Sequence, residues 1–163
     1  MRFRDIRNAL VLSWVEGQFG LPTAYPNKKP GAGVEQAQAD NQPWVSLFVV
    51  PAQPGVATLG STGQDRHDGF MQIDLNYPLD TGDAAALDKA DEIAARYVAG
   101  RRIDAPALGT TLDLDFTEEE YRVWVPLHVL IRSCGVSQPR RVENWSRTSM
   151  TIYWSAWVNR AVD

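Results

Sequence analysis

The stretch from Arg66 to Arg101, RHDGFMQIDLNYPLDTGDAAALDKADEIAARYVAGR, restricts the possible folds more than any other part of the chain. A polar turn ending at Gly69 opens onto an alternating run from Phe70 to Tyr77. Phe70, Gln72, Asp74 and Asn76 fall on one side of a strand, and Met71, Ile73, Leu75 and Tyr77 supply an apolar set for one buried face. Pro78 lacks an N–H and Pro-Leu-Asp-Thr-Gly is turn chemistry, so the strand stops there. Thr81 or Asp83 then caps a helix. Leu87, Ala90, Ala94, Tyr97 and Val98 recur at steps that give one apolar stripe, and Asp88, Lys89, Asp91, Glu92 and Arg96 fill the other side until Gly100. The expected unit is a strand followed by a helix that lies back on its own sheet, held close by small alanines.

With 163 residues the chain is expected to form one domain, 1–163, with a single core. A net charge of −4 argues against a general nucleic-acid-binding surface. The lone Cys134 precludes an internal disulfide framework and fits a reducing compartment. The apolar run Ala9–Val15 is too short to span a bilayer, and Arg2 and Arg4 start no signal peptide because no small-residue cleavage site follows. The reading is a soluble protein made in the cytoplasm, with no membrane partner. Six Trp are many for one small core, so some are expected at an interface.

In chain order, residues 1–19 read as a helix with Phe3, Ile6, Leu10 and Trp14 on one face, ended by Gly17 and Gly20. Residues 20–43 have little periodicity and read as an extended arm or a loop, in which Thr23-Ala-Tyr-Pro could add a short strand. Trp44–Val50 is nearly apolar throughout, so it is expected as a strand buried on both faces that pairs antiparallel with 70–77, projecting Pro51–Asp68 as a hairpin tip. Thr117 to Glu120 resembles a capping box. Pro126 inside Val123–Ile131 predicts an edge strand or a bulge, and Met150–Val158 is the last strand. The fold class is α+β, a mixed, mostly antiparallel sheet with helices packed on one face.

Catalytic and cofactor signatures do not emerge. His67 and His128 lack companions at metal-ligand spacing; Asp113/Asp115 and Asp80/Asp83 lack the EF-hand pattern. Gly55, Gly60 and Gly63 have no following Lys-Ser/Thr and open no helix, and no serine sits in a nucleophile elbow. Cys134 reads as a small buried residue beside a turn, and Glu118-Glu119-Glu120 as a solvated face. The expectation is no catalytic residue, no metal and no cofactor. Arg140 and Arg141, with Arg147 nearby, form the one basic cluster, suited to a surface that meets nucleic acid or an acidic partner.

A chain without a site but with surplus Trp and long loops is built for contact. Its layout resembles the tail terminator (tail completion) proteins of long-tailed bacteriophages. The likeness lies in the amphipathic helix Phe3–Trp14, the Pro-rich arm, the Pro43-Trp44 strand, and the polar loop ending Arg66-His-Asp-Gly69. The helix after Gly82 and the closing strands around Pro139–Trp157 complete it. The excursion Ile103–Glu120 has no counterpart in that pattern.

The resemblance implies a hexameric ring at the head-proximal end of the tail tube, in the virion. It implies contacts with the tail tube protein and a head–tail connector protein, and DNA passing through without specific binding. An acidic chain suits that passage, because a strongly basic bore would hold the phosphates. A ring requires two different patches on each subunit. The arm, the hairpin tip and the residues Tyr25, Arg66, His67, Phe70, Arg140, Arg141 and Trp145 are the candidates for subunit and partner contacts. Three alternatives stand beside this reading: another neck or connector component, a small enzyme using Asp65, His67 and Asp68, and a monomeric binding module.

Overall fold

The computed structural model describes residues 3–26, 28–51, 55–59, 63–104 and 128–159. Its spine is β4 (Gln64–Pro78), which pairs along its whole length with β8 (Trp145–Asn159), from Gln64 opposite Asn159 to Pro78 opposite Trp145. On its other side β4 pairs antiparallel with β2 (Trp44–Pro51), and Ile73 stands between Leu47 and Met150. The sheet order is β1-β2-β4-β8-β6-β5, with β1 (Thr23–Ala24), β6 (His128–Val136) and β5 (Arg102–Asp104) completing the path. The short strands β3 (Gly55–Val56) and β7 (Arg140–Val142) pair with β4 and β8 respectively. Among the described residues only β1 runs parallel to its neighbour, so the curled sheet is mixed and the architecture α+β.

The apolar face read from 70–77 holds, but residues 64–69, expected as a turn and hairpin tip, are strand as well, because they pair with β8, and Pro78 ends β4 from inside it. Met71, Ile73 and Leu75 have no exposure, and Val45, Leu47, Val129, Ile131, Met150, Ile152 and Trp154 join them in one core. Helix α1 (Phe3–Gly17) lies in the hollow of the curl, reaching β2 on one side and β5 and β6 on the other. It is therefore buried on several sides: Ile6, Leu10 and Trp14 as expected, but also Ala9, Val11 and Leu12. Phe3, the first residue of the expected face, is exposed because it lies at the helix end, beyond the hollow.

Helix α3 (Ala84–Arg96) forms where expected but is rolled about its axis. Ala86, Ala90 and Ile93 are buried, followed by Tyr97 just past the helix, whereas Leu87 and Val98 are exposed. The stripe runs 86-90-93-97, also at helical spacing, and Ile93 decides between the two registers as the larger residue that fills the core. Neither expected cap forms: the Asp83 side chain makes no capping bond, and Thr81 Oγ1 donates to the Pro78 carbonyl at 2.8 Å. The reversal is made by backbone instead, through left-handed Asp80 and Gly82.

Two further expectations change. The arm contains a helix, α2 (Ala32–Ala39), whose Val34 and Ala37 close over Trp44. Trp44 alternates with Val45, so α2 packs on the sheet face opposite α1 and α3, and the helices do not all share one face. β6 is internal, between β8 and β5, and its irregularity lies at Arg132, between Ile131 and Ser133. The segments 105–127, including the Thr117–Glu120 capping box and Pro126, lie outside the described residues.

Candidate interaction surface

Among the described residues α1 and α3 cover one face of the sheet and α2 covers only the Trp44 end of the other, leaving part of that second face open. Strand pairing lays its side chains out in rows. One row runs Val50, Phe70, Tyr153, Ser133 across four strands, and the next runs Phe48, Gln72, Thr151, Gly135. Phe48, Val50 and Tyr153 are 44%, 41% and 50% exposed, and the Phe70 and Tyr153 rings stand 6.0 Å apart. Aromatic side chains left on an uncovered sheet face are characteristic of contact surfaces.

Beside this apolar row lies a charged cluster. Arg66 Nε donates to Asp68 Oδ1 at 3.0 Å, and the Ser155 hydroxyl donates to the same oxygen. Arg132 Nη1 donates to Ser155 Oγ at 3.2 Å, and the Arg66 guanidinium lies 5.7 Å from the Trp157 ring centre. Burial pushes the Asp68 carboxyl up, but the hydrogen bonds from Ser155 and Arg66 and the charges of Arg66 and Arg132 outweigh it and hold it below its usual range. Arg132 is the extra residue of the β6 bulge, and such a bulge re-aims a side chain that regular pairing would place elsewhere. From these two sets Arg66, Asp68, Arg132, Phe70, Ser133 and Tyr153 line a groove of about 610 Å³ between β4, β6 and β8. Gly69 forms part of its wall. A Cβ there would press on the Val50 carbonyl oxygen and come within 2.5 Å of Trp154 Cζ2, so a side chain would force β2 away from β4.

Of the expected contact residues, Arg66 and Phe70 line this groove. His67 does not: it points to the opposite face, is 6% exposed, and stacks edge-on with Phe3 at 5.5 Å. Burial lowers the pKa of its imidazole, against the opposing pull of Asp65 and Asp68. Asp68 stands on the other face from Asp65 and His67, so the three side chains imagined as an enzymatic site do not converge. Tyr25 packs against the main core. Trp145 stands edge-on to Trp44 at 5.9 Å, beneath α2. Arg140 and Arg141 are exposed on β7, with Arg141 Nε donating to the Glu143 carbonyl. The expected residues are therefore spread over several places.

Between the groove and the α2 end, Asp74 is buried and held by Ser149 Oγ at 2.6 Å and Gln72 Nε2 at 2.9 Å. Arg147 donates to Asn76 Oδ1 at 2.9 Å and approaches Asp74 at 4.0 Å. This network ties β4 to β8. Burial raises the Cys134 thiol, which makes it a poor nucleophile. Among the described residues no cluster of His, Cys, Asp and Glu could hold a metal ion, and no helix is long and apolar enough to cross a membrane.

Reasoning from sequence missed Arg132 and Tyr153, and placed Asp68 only in the alternative enzymatic site with Asp65 and His67. Tyr153 was legible, since it alternates with Ile152 and Trp154 as Phe70 does with Met71. Arg132 was not, because only the bulge brings it to the groove.

Comparisons with known proteins fit this picture. No curated protein matches the sequence. A solved structure that carries no functional name superposes with a TM-score of 0.60 at 16% identity, covering 100% of this chain and 99% of the other, and shares its fold. The sequence profile for phage tail terminator proteins matches residues 5–154, from the first turn of α1 into β8. The chain belongs to the phage tail terminator protein family, a family of structural tail proteins.

Proposed function

We propose that this protein acts as a hexameric ring at the head-proximal end of the tail tube, where it stops tube polymerisation and presents the surface to which the head attaches. Its work is binding without turnover. The observation that carries the reading is the open sheet face, with its row of exposed aromatic and aliphatic side chains, on a chain of this family. A protein that stays single in solution rarely keeps such a face uncovered. The tail tube protein and a head–tail connector are its partners, and DNA passes through the ring without specific binding. Arg140 and Arg141, both exposed, face the bore or the partner ring; reversing both charges lowers head attachment in an assembly assay.

The test is to delete the gene from its phage or prophage, induce, and measure tail lengths by negative-stain electron microscopy. Overlong, headless tubes corrected by supplying the protein support the terminator role. Tails of normal length that fail to join heads move the protein to the neck. Normal infectious particles end the structural reading.

A further inference from the structure

We propose that the groove between β4, β6 and β8 receives the exposed face of α3 from a second copy of this chain. The inference rests on the ring reading above and names the two patches that meet.

The groove offers two arginines, Arg66 and Arg132, around one carboxylate, Asp68, so it carries a net positive charge. Among the described residues Arg66 uses Nε on Asp68 and Arg132 uses one terminal nitrogen on Ser155. Each guanidinium therefore keeps N–H donors for an acidic visitor. The apolar half of the groove is the pair of half-buried Phe70 and exposed Tyr153.

The matching surface is on α3. Its solvent side carries Leu87, 40% exposed, flanked by Asp88 and Asp91, with exposed Val98 just beyond the helix. The basic residues of this helix are engaged elsewhere. Lys89 donates to the Phe19 carbonyl at 2.9 Å and pairs with Glu92, and Arg96 donates to the Ser13 carbonyl at 2.9 Å. What remains is a helix face with an aliphatic centre and acidic flanks, complementary in charge and polarity to the groove.

Their placement matters as much as their chemistry. α3 lies on one face of the sheet and the groove opens on the other, so one chain cannot bring its own two patches together. Copies joined groove to helix associate head to tail, and such a heterologous contact closes into a ring when the rotation per step allows it. Leu87 fills the space over Phe70 and Tyr153, and Asp88 and Asp91 meet Arg66 and Arg132.

The experiment is disulfide trapping in assembled tails. Tails are built with protein carrying Leu87→Cys and Tyr153→Cys in a Cys134→Ser background, oxidised, and run on a non-reducing gel. The expected result is a ladder of covalent oligomers, absent from tails carrying either cysteine alone. Tails of correct length without a ladder would overturn the contact while leaving the terminator reading intact. Should the cysteine variant fail to fold by circular dichroism, charge reversal decides. Arg66→Glu with Arg132→Glu, or Asp88→Arg with Asp91→Arg, is expected to lower ring formation at least about tenfold, and all four changes in one chain to restore it. Unchanged assembly in either pair, or no restoration in the combined chain, would equally remove the contact. A tail-deletion phenotype with no length defect would instead remove the ring reading itself.

Discussion

Leu87 and Ile93 are six positions apart on one helix and have opposite fates. Ile93 is fully buried against the core, and Leu87 stands 40% exposed. Replacing Ile93 by Ala should cost about 2–5 kcal/mol in urea unfolding, whereas Leu87→Ala should change stability by less than about 0.5 kcal/mol. The reverse order would place α3 in the register first read from its sequence. Tyr97 gives a second test at this scale. Its hydroxyl is buried and bonds Ser13 Oγ at 2.8 Å, while the Ser13 hydroxyl donates to the Leu10 carbonyl at 2.6 Å, so Tyr97 is the donor between them. Burial raises its pKa from 10.0 to about 12. The folded state thus holds this proton more tightly than the unfolded chain. The resulting stability is fully present below pH 10 and is lost as pH rises through the interval up to about 12, by on the order of 2–3 kcal/mol. Denaturation at stepped alkaline pH should show this loss, and Tyr97→Phe should flatten it.

Helix α2 is held by little. Its anchor is the small cluster of Val34, Ala37 and Trp44, with Ala24 and Trp145 alongside, separate from the main core. Eight residues do not sustain a helix alone in water. Trp44→Ala should therefore release α2 before it loosens the sheet: amide exchange across residues 34–39 should accelerate by far more than across β4. Equal acceleration in both would mean that Trp44 belongs energetically to the main core. The β4–β8 ladder is the opposite case, a continuous pairing reinforced by the Asp74, Ser149, Asn76 and Arg147 side chains. Helix α1 draws its stability from the hollow of the sheet, and its polar ties, Trp14 Nε1 to Thr23 Oγ1 and Ser13 to Tyr97, run to β1 and α3.

For the whole molecule, the open sheet face and the acidic outer side of α3 give a chain with two unlike surfaces on opposite sides. Contacts between arginines and carboxylates at the rim of such an interface draw partners together through solvent and are screened by salt. On the proposed groove-to-helix contact, subunit association, followed by light scattering after rapid dilution, should therefore slow several-fold between roughly 0.05 and 0.5 M salt. A rate indifferent to salt would assign association to the aromatic row alone. The −4 net charge acts in a different place, keeping the surface as a whole unattractive to polyanions such as DNA.

Much of this architecture was written in local pattern. Alternation from Phe70 to Tyr77 gave the central strand and its buried face, the apolar run Trp44–Val50 gave its hairpin partner, and the steps between Ile6, Leu10 and Trp14 gave the first helix. These features depend on which neighbours along the chain share a side, and the chain itself carries that information. Three others do not. The roll of α3 turns on whether Leu87 or Ile93 better fills the space above β4, and two stripes at helical spacing compete for it. The α2 helix has so few apolar residues that only Trp44, arriving from the strand next door, makes it worth forming. The groove joins Arg66, Asp68, Arg132 and Tyr153 from three strands, one of them displaced by a bulge. The sequence by itself determined which segments are strands and helices and which sides of them are apolar. Tertiary structure alone decided which face stays uncovered and which charges meet there, because that outcome depends on packing between segments far apart in the chain.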